Sequence, residues 1–60
     1  MNADQNIENA KNILLSIIAG CQEVKVDTDV HKDAKSLASL IIRDCNKTLA
    51  ALDGKRLPGS

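Results

Sequence analysis

The stretch ILLSIIAG, residues 13–20, decides how this chain folds. It lies within a pattern of apolar residues spaced alternately three and four apart, which predicts a helix from about residue 3 to residue 24. The positions that carry this spacing are Ile7, Ala10, Leu14, Ile17, Cys21 and Val24. Three further residues, Ile13, Leu15 and Ile18, widen this stripe until the helix is apolar around most of its circumference. A single partner helix cannot cover an apolar surface this wide.

A second helix is predicted from about residue 29 to residue 52, after a turn at about residues 25–28. Asp27, Thr28 and Asp29 are residues that favour a helix start, and Gly54 favours a helix end. The apolar stripe of this helix contains Val30, Ala34, Leu37, Ala38, Ile41, Cys45, Leu49 and Leu52.

A turn this short predicts that the two helices are antiparallel neighbours. The fold class is therefore all-α, an antiparallel two-helix hairpin over residues 1–54, with residues 55–60 as a flexible C-terminal tail. In this hairpin we expect Ile17 to face Leu37, and Leu14 to face Leu40. Cys21 and Cys45 then lie too far apart for an intrachain disulfide.

The surplus apolar residues of the two helices lie at the same height of the hairpin, and they form an apolar belt. The chain has 60 residues and no Phe, Trp or Tyr, so one hairpin has little to build a core from. We therefore expect a homo-oligomeric helical bundle, with a four-helix dimer as the favoured form. The expected interface residues are Ile13, Leu15, Ile17, Ile18, Leu37, Leu40, Ile41 and Ile42.

The balance of charge argues against nucleic acid as a partner, and the hydropathy argues against a membrane. Eight Lys and Arg balance eight Asp and Glu, so nucleic acid is not favoured as a partner. The N-terminus lacks the features of a signal peptide, and the longest apolar run is shorter than a membrane span. We expect a cytoplasmic protein, in the host cytoplasm if it is phage-encoded, with reduced cysteines.

Few residues could carry chemistry. His31 stands among Asp27, Asp29 and Asp33, but one His with carboxylates is not a zinc site. Cys21 and Cys45 have no CxxC spacing, and buried free cysteine commonly acts as a small hydrophobe. The sequence predicts no catalytic residue, no metal, no cofactor and no enzymatic activity.

Two sets of polar residues are candidates for contact with a ligand or partner. Asn is a poor helix former, so its repetition in the first helix suggests a hydrogen-bonding face. Cations on the second helix could contact phosphate groups. The candidates are Asn6, Asn9 and Asn12 on the first helix, and Lys32, Lys35 and Arg43 on the second.

Three function classes stay open. The favoured one is a small regulatory module that associates with itself and binds another protein. The second is a bundle that sequesters a small nucleotide-like ligand between protomers, a form similar to tiny phage proteins that capture defence messengers. The third is RNA binding, because the architecture is similar to plasmid copy-control hairpins that dimerise and hold RNA loops; no motif extends that similarity.

Overall fold

The computed structural model describes residues 3–54 as two α-helices, α1 at Ala3–Val26 and α2 at Lys32–Gly54. Within this range there is no strand. The helices pack against each other as a hairpin measuring 45 × 17 × 12 Å. The predicted all-α two-helix hairpin is confirmed. The predicted tail at residues 55–60 lies outside the described residues.

The first helix extends two residues beyond its predicted end. The backbone N–H of Asp27 donates to the carbonyl oxygen of Glu23 at 3.1 Å, which continues the helical hydrogen bonding through Val26. The turn then occupies residues 27–31. Its first residue organises it, because the Asp27 carboxylate accepts a hydrogen bond from the Asp29 N–H at 2.9 Å. This is an Asx turn, a common use of Asp in loops.

The second helix begins three residues later than predicted, and His31 caps it. Nδ1 of His31 accepts a hydrogen bond from the Asp33 N–H at 3.1 Å. The His31 carbonyl accepts from the N–H groups of Ala34 and Lys35 at 3.0 and 3.2 Å. Asp27, one of the three residues expected to favour the helix start, bonds within the turn instead. Local turn formation and helix capping compete for the same side-chain oxygen, and here the turn prevails.

A narrow seam of side chains holds the two helices together. On α2 it centres on Ala38 and Cys45, which are only 4% and 7% exposed. The half-buried residues that extend it are Ile7, Leu14, Ile18 and Cys21 on α1, and Ile42, Leu49 and Leu52 on α2. Both helices keep the three-and-four spacing along this seam, as the heptad pattern predicts.

The structure corrects which residues form the inner stripe. Ile17, Leu37 and Ile41 were expected there, but they are 42%, 61% and 43% exposed. The half-buried Ile18 and Ile42 join the seam, while Ile7, Leu14 and Cys21 keep their expected places. Each helix is therefore turned by about 40°, less than half of the 100° between neighbouring residues. The expected Ile17–Leu37 pairing is wrong. Small residues at the contact let helices approach closely, and centring Ala38 and Cys45 moves Ile41 to the flank.

Candidate interaction surface

One ion pair identifies which flanks of the two helices share a side of the hairpin. Successive residues advance about 100° around an α-helix. Counted from the centre of the seam in the direction in which the chain winds, Lys11 lies about 50° further around α1, and Asp53 about 50° further around α2. The Lys11 Nζ is 2.8 Å from Asp53 Oδ1. In two antiparallel helices, residues rotated from the seam in the same winding direction lie on the same side of the pair. The Lys11–Asp53 pair is direct evidence for this placement.

Four large aliphatic side chains lie on the opposite side of the hairpin. Each of them lies about 70–120° from the centre of the seam, against the winding direction of its own helix. They are Ile13 and Ile17 on α1, and Leu37 and Ile41 on α2. They are therefore brought to one side, which we call the apolar face. Their exposed fractions are 62%, 42%, 61% and 43%. Two helices thus contribute equally to an uncovered apolar surface.

The apolar face is large for a molecule of this size. On α1 it extends from Ala10 to Val24, a length of about 21 Å at 1.5 Å per residue. With the hairpin's 17 Å width, the face has an outline of roughly 350 Å², within the size range of the largest apolar patch on a typical monomeric protein. The largest apolar patch of a monomer is often functional. The apolar face is accordingly the candidate functional surface.

Small residues lie between the large ones on the apolar face. Gly20 follows Ile17 by three residues, and a Cβ atom built on it meets no neighbouring atom within 4 Å. Ala34 lies three residues before Leu37 and is exposed, while Ala10 is half-buried. The surface therefore alternates large side chains with positions that leave open space.

The side that carries the Lys11–Asp53 pair is polar. It carries Gln22, Ser39, Arg43 and Asn46, together with two large aliphatic residues: Leu15, which is 52% exposed, and Val26 at the end of α1, which is 79% exposed. The Arg43 side chain lies 3.9 Å from the carboxylate of its neighbour Asp44. One broad side of the hairpin is thus mainly apolar and the other mainly polar.

The eight residues expected at an oligomer interface therefore occupy four different places. Four form the apolar face, Ile18 and Ile42 lie in the seam, and Leu15 lies on the polar side. Leu40, which is 46% exposed, lies on the outer surface of α2. Six of these eight residues are exposed: four gather on the apolar face, and Leu15 and Leu40 add apolar surface on two further sides of the hairpin.

The candidate ligand-contact residues do not converge within one chain. Asn6 and Asn9 lie near the start of α1, and Lys32 and Lys35 near the start of α2, at opposite ends of the hairpin. Asn12 and Arg43 lie between these two groups. Gln5 Nε2 donates a hydrogen bond to Asn9 Oδ1 at 3.0 Å, a contact within α1. Residues 3–54 of a single chain enclose no cavity.

His31 and the two cysteines, the candidates for metal or redox chemistry, have structural roles in the hairpin. The exposed His31 caps α2, and its Nδ1 lies 3.6 Å from the Asp33 carboxylate. Both cysteines are free; Cys45 is buried in the seam and Cys21 is half-buried there. In the described part of the chain, no three His, Cys, Asp or Glu side chains are grouped so as to hold a metal ion.

Two features of the hairpin do not follow from the sequence analysis: the place of Gly20 on the apolar face, and the Lys11–Asp53 pair on the opposite side. One signal was present: residues 10, 13, 17, 20 and 24 repeat the heptad spacing, displaced from the seam. A second heptad stripe on one helix indicates a second helical contact.

Comparison with known proteins gives no relative for this chain. No protein-family model matches it, and neither does any curated protein or solved structure with which it was compared. Among the described helices, none is long and apolar enough to cross a membrane. The function is therefore inferred from the surface of the hairpin itself.

Proposed function

We propose that this protein is a small, non-enzymatic interaction module: its hairpins assemble into a homo-oligomeric helical bundle, and the bundle acts by binding another protein and regulating it. The observation that carries this proposal is the apolar face, where Ile13, Ile17, Leu37 and Ile41 are 42–62% exposed.

Core size supports self-association. Of residues 3–54, Ala38 and Cys45 alone are nearly inaccessible to solvent. Both are small, so the hairpin buries few methyl and methylene groups completely. Short chains commonly supplement an insufficient core by oligomerisation. A dimer in which two hairpins form a four-helix bundle is the simplest assembly that covers the exposed aliphatic side chains.

The chemistry of the remaining surface supports a protein as the further partner. Leu15 and Leu40 are 52% and 46% exposed, outside the apolar face, and each has polar residues one helical turn away: Lys11 and Asn12 for Leu15, and Ser36 and Arg43 for Leu40. In protein interfaces an apolar contact is commonly enclosed by a polar rim, and these two positions allow that arrangement. Such surfaces offer a protein both packing and hydrogen bonds.

The mass of the purified chain in solution tests self-association. Light scattering coupled to size exclusion at micromolar concentration is expected to give a multiple of 6.4 kDa, with helical circular dichroism in the same sample. A folded, helical monomer at that concentration contradicts the oligomeric part of the proposal.

Site-specific photo-crosslinking in cells that express the protein tests partner binding. A photoreactive side chain at Leu15 or Leu40 is expected to capture a particular protein that the same group at Lys47, an exposed cation on α2, does not capture. The purified partner should then bind the purified chain, and Leu15→Gln or Leu40→Gln should weaken that binding. If every product joins two copies of this chain, the partner-binding part of the proposal is overturned.

A further inference from the structure

We infer that the apolar face seats a second copy of this chain, with Gly20 at the closest approach between the copies. This inference rests on the proposed function and deepens it, because it selects one side of the hairpin for self-association. The polar side, with Leu15, then stays available to a different protein.

The face is complementary to itself in shape. Ile13 and Leu37 are its most exposed large side chains, at 62% and 61%, while Gly20 leaves open space within 4 Å of its would-be Cβ. Large side chains of one helix pack into spaces on the next when both follow the three-and-four spacing. A second copy supplies both the large residues and the spaces, on two helices with that spacing.

The charge distribution favours a copy over a charged partner. Most positions of the apolar face and its immediate extensions are uncharged: Ala10, Ile13, Ile17, Gly20, Val24, Ala34, Leu37, Ile41 and Thr48. Asp44 lies one heptad after Leu37, at the outer edge of the face, and its carboxylate is 3.9 Å from the Arg43 side chain. Two such faces meet without burying a charge at their centres, because Asp44 stays at the edge. A charged partner finds no opposite charge at the centre of the face, so charge does not favour it.

The broad side of the hairpin that contains the apolar face has room for a two-fold interface. The hairpin's broad side measures 45 × 17 Å, an outline of roughly 750 Å², close to the ~800 Å² that each partner contributes to a stable interface of standard size. Its centre is apolar and its ends are polar, with Asn6 and Thr48 at one end. An apolar centre within a polar rim is the usual organisation of such interfaces.

A matched pair of glutamine variants tests the assignment. Gly20 and Ala19 are neighbours on α1, both exposed, but Ala19 lies on the outer surface towards the polar side. In a single chain the space around Gly20 is open, and Gln is a better helix former than Gly, so Gly20→Gln does not weaken the hairpin itself. In a dimer across the apolar face, the added side chain obstructs the approach of the second copy.

A second pair replaces large residues instead of filling a space. Ile17 lies on the apolar face and Leu15 on the polar side, with similar exposed fractions of 42% and 52%. Ile17→Gln and Leu15→Gln therefore make the same kind of change on opposite sides of the hairpin. If Gly20→Gln fails to fold, the comparison of Ile17→Gln with Leu15→Gln still shows which side of the hairpin binds the second copy.

Dissociation constants of the self-association are measured by sedimentation equilibrium, with circular dichroism as a check on folding. Gly20→Gln and Ile17→Gln are each expected to raise the constant by at least about 100-fold, because a two-fold interface contains each substitution twice. Ala19→Gln and Leu15→Gln are expected to change it by less than about threefold.

Each alternative result has a definite meaning. If Gly20→Gln and Ile17→Gln associate as the wild type does, the face assignment is overturned while self-association stands. If Leu15→Gln abolishes association instead, the polar side is the interface. If the wild type is monomeric, the second copy is rejected as the occupant, and partner binding remains open to the crosslinking test.

Discussion

Replacing Leu14 and Leu15 separately by Ala tests the packing seam most directly. The two residues are adjacent, have the same side chain and lose the same atoms, so their helix-propensity effects cancel in the comparison. Leu14 is half-buried in the seam, whereas Leu15 is 52% exposed on the polar side. Any difference between the two variants therefore reports which side chain packs between the helices.

The expected magnitudes follow from burial. Leu→Ala at packed positions costs about 2–5 kcal/mol, and partial exposure places Leu14→Ala at about 2 kcal/mol. The substitution removes three carbons, and Leu15 already has half its surface in water, so at about 0.8 kcal/mol per buried methylene its loss is expected to be about 1 kcal/mol. In a domain this small, each kcal/mol corresponds to about 4–8 °C in the melting temperature.

Urea denaturation followed by far-ultraviolet circular dichroism measures both free energies of unfolding. All samples must have the same chain concentration, because association stabilises the folded state by mass action. An unfolded Leu14→Ala beside a folded Leu15→Ala also agrees with the seam. Equal losses, or a larger loss for Leu15→Ala, refute the packing described here.

Three further predictions concern the ends of the helices and the cysteines. His31→Ala is expected to lower the free energy of unfolding by about 1 kcal/mol through loss of the helix cap, and His31→Asn should restore it; identical urea midpoints for both variants contradict the cap. Lys11→Ala is expected to cost no more than about 1 kcal/mol, with a loss that shrinks at high salt, and the double exchange of Lys11 and Asp53 should recover part of it. A thiol reagent is expected to modify the half-buried Cys21 before the 7% exposed Cys45, and the reverse order, determined by mass spectrometry of peptides, argues against the seam.

The choice between Ile17 and Ile18 shows where sequence reasoning reached its limit. Both residues are apolar, and they differ by about 100° of rotation on one helix. Ile41 and Ile42 present the same choice on α2. Each helix therefore carries two overlapping heptad stripes, and spacing alone does not distinguish the inner stripe from the outer one.

The start of α2 was ambiguous for a different reason. Asp27, Asp29 and His31 all have side chains that can accept a hydrogen bond from a helix N-terminus. Their order in the sequence does not show which one does so. The outcome depended on the Asx turn at Asp27, which uses that carboxylate before the helix begins.

The sequence by itself determined the helical class, the number of helices and the hairpin, because periodicity and a short polar turn are local properties. Tertiary structure decided the rotation of each helix, since Ala38 and Cys45 must meet α1 for the helices to pack closely. It also decided which flanks share a side, a consequence of antiparallel geometry visible in the Lys11–Asp53 pair. ILLSIIAG accordingly divides its residues: Leu14 and Ile18 pack within the hairpin, and Ile13, Ile17 and Gly20 face outward together.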